Sequence, residues 1–215
     1  VYKVQRKIKV SDEASGARLT LLPDDTFAVD ALISYDSPIL THQYASYEIG
    51  DDFAGEIAPA RTFVFVREVQ ALVANNLIKG GDLDNALVIY DRQLTQTDLD
   101  KLSDELGVDH SDASTLGYIS HRPLAYPNEP ARHKLLDVLG DLALAGCRIM
   151  GRVIATKPGH TINGRLCMKL FEEIEGEESL PPAVDLSAKP LLDTREIMRI
   201  LPCLLYTSDG CRRRG

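Results

Sequence analysis

One stretch, residues 128–146 (NEPARHKLLDVLGDLALAG), carries the clearest helical spacing in the chain. At about 100° per residue, Leu135, Leu136, Val138, Leu139 and Leu142 gather on one side of a helix, and His133, Asp137 and Asp141 fall on another. Asn128 suits the N-cap, Glu129 and Pro130 suit a first turn that favours negative charge and needs no amide donor, and Gly146 suits the stop. Upstream the period changes to two. Residues 2–10 alternate as one half-exposed strand, and residues 17–22 and 27–34, joined by the turn formers Pro23, Asp24 and Asp25, predict a hairpin. Residues 43–49 continue the sheet.

The middle of the chain predicts a smaller unit. Residues 61–66 and 86–90 read as strands with helical spacing over 68–77 between them, a β-α-β insert whose helix Gly80 and Gly81 would close. Residues 93–126 are polar, with a helix near 97–106. Beyond the central helix, 152–156 is a β-branched strand and Pro158-Gly159 turns the chain into a loop over 159–163. A last helix over 165–175 should carry Leu166, Leu170 and Phe171 inward. Strands preceding helices predict an α+β fold, a two-layer sandwich of a mainly antiparallel sheet packed on helices.

Composition narrows the function classes. A net charge of −8 with no basic cluster before the last few residues argues against nucleic-acid binding. No apolar run approaches the roughly 20 residues of a membrane span and no signal peptide is visible, which places the protein in the cytoplasm. Cys147, Cys167, Cys203 and Cys211 form no Cys-x-x-Cys pair and read as ordinary thiols. Residues 176–189 turn acidic and then Pro-rich, as linkers do.

The candidate chemistry lies on the central helix. Spacing of four stacks the His133 imidazole over the Asp137 carboxylate, so both could reach one metal ion, with Asp141 a turn further on. Taken alone, such residues are most often a solvated helix face. A second histidine, His160, follows the Pro-Gly turn at a strand end, where site residues are common but where an exposed loop histidine is equally usual. His110 and His121 match no motif and read as surface residues. Gly80-Gly81 lacks the Lys-Ser/Thr ending of a phosphate-binding loop.

Four motifs in order, Ala-Arg-Thr-Phe (60–63), Gly-Gly-Asp-Leu-Asp-Asn-Ala (80–86), His-Lys-x-x-Asp-x-x-x-Asp (133–141) and Gly-His-x-x-Asn (159–163), together resemble the zinc-dependent UDP-3-O-acyl-N-acetylglucosamine deacetylase of Gram-negative lipid A biosynthesis. The resemblance runs from about Lys9 to about Lys169. It implies Zn2+ as cofactor, His133 and Asp137 as two of three metal ligands, and His160 as the cationic partner that stabilises the oxyanion and protonates the leaving amine. It further implies that Asp141 holds His160 charged and oriented, that Thr62 donates to the oxyanion, and that Phe63 and Lys134 bind substrate. The β-α-β insert, 61–90, would line the passage for the acyl chain.

The third ligand in that family is a histidine preceded by the glutamate that acts as general base, and the chain contains no Glu-His pair. With a start at Val1 inside a strand, the expectation is a second half of the enzyme (1–175), inactive without its N-terminal half. Residues 190–202 resemble the opening of 3-hydroxyacyl-[acyl-carrier-protein] dehydratase, which predicts a fusion. Residues 203–215 depart from that pattern and read as a non-native tail. The reading from another class is a non-catalytic acyl-binding or interaction domain, which would be expected to have lost some of His133, Asp137, Asp141 and His160; all four are present.

Overall fold

A computed structural model describes residues 1–69 and 83–177. The expected helix over 68–77, Gly80-Gly81, the linker, the dehydratase-like segment, the tail, and Cys203 and Cys211 all lie outside the described residues.

The main sheet is built from β1 (Tyr2–Lys3), β2 (Ile8–Asp12), β3 (Ala17–Leu22), β4 (Phe27–Ser34), β5 (His42–Glu48) and β9 (Ile149–Thr156). Its order is β2-β3-β9-β4-β5, with β1 beside the start of β9. Strand β9 runs antiparallel to β3 and parallel to β4 and β1, while β2–β3 and β4–β5 are antiparallel pairs. The fold is thus α+β with a mixed, mainly antiparallel sheet. Two expectations change. The predicted hairpin of β3 and β4 does not form, because β9 enters between them and takes the hydrogen bonds of both. The predicted single strand over 2–10 is two, because Tyr2 pairs with Ile149 whereas Ile8 pairs with Leu21, and the chain must step across through the polar residues Gln5, Arg6 and Lys7.

Helices α3 (Glu129–Ala143) and α4 (His160–Glu177) cover one face of this sheet, α3 over β4 and β5, α4 over β2 and β3. Alternation along the strands sends Leu19, Leu21, Val29, Ala31, Ile33, Val153 and Ala155 into the core against them, all fully buried. From α3 come Leu135, Val138 and Leu142, and from α4 Ile162, Leu166 and Leu170. Burying each such side chain is worth about 1.5–3 kcal/mol. Phe171, expected inward, is 47% exposed; Ile162, four residues before Leu166, takes the inward position instead. The final helix also starts five residues earlier than expected. His160 is its first residue, Asn163 N–H bonds the Gly159 carbonyl at 2.9 Å, and the loop shrinks to the turn around Lys157, whose φ is 50°.

The remaining elements form a second unit. Strands β6 (Thr62–Phe65), β7 (Ala86–Tyr90) and β8 (Gly117–Ile119) make a small sheet, β6 and β7 parallel and β8 antiparallel to β7. Helical backbone follows β6 over 66–69, as a β-α-β unit requires. Helix α2 (Gln96–Leu106), capped by the Thr95 side chain, sends Leu99 and Leu102 into a separate core with Val66, Val88 and Tyr90. A short helix, α1 (Phe53–Glu56), leads from β5 toward β6. Among the described residues no helix is long and apolar enough to cross a membrane.

Candidate active site

The N-terminal end of α3 docks on β5. Asn128 does not cap α3 with its side chain; it donates to the Tyr44 carbonyl (2.7 Å) and accepts from Arg132 (2.9 Å), while Gln43 accepts from the Ala131 N–H (3.3 Å). This docking turns the polar face of α3 away from solvent. His133 and Asp137 are 5% and 8% exposed, so they are not the solvated face that their spacing alone would suggest.

His133 donates through Nδ1 to the carbonyl of Ala60 at 3.1 Å, because a carbonyl can only accept. Its Nε2 is therefore the nitrogen free for a ligand, and it lies 3.4 Å from Asp137 Oδ1. Burial pushes the His133 pKa below its ordinary value, against the opposing pull of Asp137, so the ring is held neutral, as a metal-binding imidazole must be. Lys134 binds the other carboxylate oxygen, Asp137 Oδ2, at 2.9 Å, leaving Oδ1 turned toward His133. The Lys134 ammonium also stands 5.7 Å from the centre of the Phe63 ring.

Helix α4 brings its first turn to the same place. His160 Nδ1 donates to Asp141 at 2.9 Å, Asn163 Nδ2 donates to the same oxygen at 2.8 Å, and His160 Nε2 points back to within 3.9 Å of Asp137 Oδ1. His133, Asp137, Asp141 and His160, chosen from two segments of sequence, thus form one continuous cluster. Phe63 joins it through Lys134. Thr62, the first residue of β6, is half-buried; among the described residues its hydroxyl is hydrogen-bonded to none of the four. His110 and His121 are exposed, and His110 is held by Asp104 on α2.

Four further residues belong to this site. The Tyr35 ring stands edge-on to Phe63 at 5.6 Å, and burial, aided by Glu68 and Asp137, pushes its phenol up to about 12. Asn163, buried completely, orients Asp141; it was visible in the Gly-His-x-x-Asn motif. Arg61, of the Ala-Arg-Thr-Phe motif, and Glu129, the first-turn acid of α3, form a buried ion pair beside His133, a pairing that no local signal announces because they are 68 residues apart.

One imidazole and one carboxylate converging at these distances suit zinc. Among the described residues no group of three His, Cys, Asp or Glu side chains is arranged to hold a metal ion; His133 Nε2 and Asp137 Oδ1 are a pair that could contribute to one. Residues 1–111 and 112–172 match the model of the UDP-3-O-acyl N-acetylglycosamine deacetylase family. The chain belongs to this family. All seven residues singled out by sequence fall inside the match. Among relatives, a Porphyromonas gingivalis protein named bifunctional enzyme LpxC/FabZ is 53% identical over 201 residues, covering 94% of this chain and 44% of that protein. Its namesake in Bacteroides thetaiotaomicron is 50% identical with the same coverage. A UDP-3-O-acyl-N-acetylglucosamine deacetylase of Anaeromyxobacter is 35% identical over 171 residues, 79% of this chain and 48% of that protein. The chain spans about half the length of these curated relatives.

Proposed function

We propose that the chain is the C-terminal half (1–175) of a zinc-dependent amide hydrolase. The reaction removes the N-acetyl group from UDP-3-O-(3-hydroxyacyl)-N-acetylglucosamine, the committed step of lipid A biosynthesis, in the cytoplasm. The observation that carries this reading is the shared focus of His133 Nε2, Asp137 Oδ1 and His160 Nε2, with each imidazole fixed through its Nδ1 by a separate acceptor. An imidazole fixed in this way presents Nε2 in one tautomer and one direction, which is what both metal ligation and proton transfer require.

His133 and Asp137 would hold the zinc together with a ligand from the N-terminal half. When bound, zinc would supply the Lewis acid for the amide carbonyl and activate the attacking water. Thr62 would donate a hydrogen bond to the oxyanion. His160, braced by Asp141, would face the same oxygen and pass its Nε2 proton to the departing amine. Lys134, which fixes Asp137 Oδ2, would bind the anionic head group, and Phe63 would pack beside the sugar. The insert would line the acyl passage. Residues 176–189 would be a linker to a dehydratase domain opening at 190–202, a fusion favoured by the two relatives named LpxC/FabZ, and 203–215 a non-native tail.

The test extends the reading frame upstream of Val1 and expresses the longer chain. Bound zinc near one per chain, acetate release from the substrate, and its loss on His133→Ala are expected. The 215-residue chain alone should bind zinc poorly and release no acetate, because it lacks a ligand and the general base. A longer chain that binds no zinc would leave a non-catalytic acyl-binding module as the better description.

A further inference from the structure

Arg61 and Glu129 are 4% and 0% exposed, and their pairing is saturated. Glu129 Oε1 accepts from the Arg61 backbone N–H (3.0 Å) and Nε (2.8 Å). Its Oε2 accepts from Arg61 Nη2 (3.1 Å) and the Ala125 N–H (2.7 Å). Nη2 also donates to the Pro123 carbonyl at 2.8 Å. A carboxylate with both oxygens doubly engaged has no capacity left for proton transfer. An ion pair this dry is a costly way to gain stability, since apolar residues of similar volume do as well or better. Its geometry indicates another use.

Glu129 stands one turn before His133 on α3, and Arg61 stands between Ala60 and Thr62. The pair therefore fastens the entry of β6 to the first turn of α3 at the point where the Ala60 carbonyl meets His133 Nδ1. We propose that Arg61 and Glu129 are positioning residues. Their fork, a clasp between strand and helix, sets the register of β6 on α3, and through it the tautomer of His133 and the placement of the Thr62 hydroxyl. Backbone N–H, Nε and Nη2 all converge on one carboxylate, a match that a lysine ammonium cannot reproduce. This inference rests on the deacetylase reading for its catalytic consequence, but the tautomer it fixes is a property of this chain by itself.

The test uses Arg61→Lys and Glu129→Gln, with Arg152→Ala as the control. Arg152 lies on the sheet face away from the helices, where it binds Asp30 (2.8 Å) and Asp24 (3.1 Å), so its loss lowers stability without touching β6. Imidazole 15N shifts of the metal-free 215-residue chain should show His133 wholly as the Nδ1–H tautomer in the parent and in Arg152→Ala, and a mixture in the two clasp variants. In the longer chain, zinc affinity should fall about 10–100-fold for Arg61→Lys. On kcat, Arg61→Lys and Thr62→Val should be non-additive, the second change costing less once the first is made. If the clasp variants lose melting temperature as Arg152→Ala does but keep one His133 tautomer, the pair is structural only and the inference falls. If one clasp variant does not fold, the other decides by the same shifts. If the parent longer chain binds no zinc, the deacetylase reading fails while the tautomer result still decides the clasp.

Discussion

Gly151, in the central strand, is closely approached by Val4, Leu21 and Leu22. It pairs with Phe27, its N–H bonds the Thr26 carbonyl at 2.9 Å, and its φ is not positive, so alanine can adopt the backbone without strain. Judged on strand propensity, Gly151→Ala should stabilise by about 0.5–1 kcal/mol. The neighbours oppose it. A Cβ built there meets Val4 Cγ2 at 2.7 Å, the Leu22 carbonyl oxygen at 2.9 Å and Leu21 Cδ1 at 3.1 Å. Favourable carbon contacts need about 3.5–4.0 Å, and Val4 and Leu21 are both buried in the core. The Leu22 carbonyl belongs to β3, already in register with Arg152, so it cannot rotate away. Overpacking of this kind costs about 1–3 kcal/mol, and with a backbone atom involved the upper end applies. The net expectation is a loss of about 2 kcal/mol, or a melting midpoint lowered by roughly 4–8 °C for a fold of this size. Thermal unfolding of the 215-residue chain followed by circular dichroism reads it directly. In a Val4→Ala background, which removes the closest clashing atom, the penalty should shrink. A Gly151→Ala midpoint at or above that of the parent would refute the packing argument.

Leu166→Ala, at a fully buried position of α4, should cost about 2–5 kcal/mol in urea unfolding, and an unchanged midpoint would contradict its place in the core. Thr62→Val, nearly isosteric, should lower kcat of the longer chain by about 10²–10³ with little change in KM; full activity would remove Thr62 from the list of oxyanion donors. Burial, with Glu68 and Asp137, raises the Tyr35 phenol to about 12 from its ordinary 10.0, and the unfolded chain ionises it first. Its contribution to stability is therefore complete below about pH 10 and lost as pH rises toward 12. Tyr35→Phe should flatten that alkaline decline, and a phenol absorbance titration with all tyrosines ionised by about pH 10.5 would contradict the shift.

What the sequence revealed and what it hid follow the range of the interactions. Helix α3 was legible because its apolar stripe, first-turn acid and Pro130 all lie within 15 residues and agree. The His133, Asp137, Asp141 and His160 cluster was legible because helical spacing and a Pro-Gly turn are local signals. Pairing was not. Pro23-Asp24-Asp25 is good turn chemistry, yet whether β3 and β4 touch depends on β9, more than a hundred residues away. The start of α4 is not legible in the same way, because Pro158-Gly159 predicts a loop, whereas Ile162 and Leu166 extend the inward stripe back to His160. Equally hidden was the dependence of His133 on a backbone carbonyl, which no residue type announces.

The late position of β9 has a consequence for biosynthesis. Roughly 115 residues separate the end of β4 at Ser34 from the start of β9 at Ile149, and β9 is the strand that β1, β3 and β4 all pair with. At about 5–20 residues per second, a ribosome exposes the inner edges of β3 and β4 for on the order of ten seconds before their shared partner is made. Unsatisfied strand edges of that kind invite pairing with other chains. The nascent protein thus passes through a period in which its two half-sheets are complementary to the missing strand and to each other's copies in neighbouring chains, and holdase chaperones that shield strand edges should matter more for its yield than its final stability does.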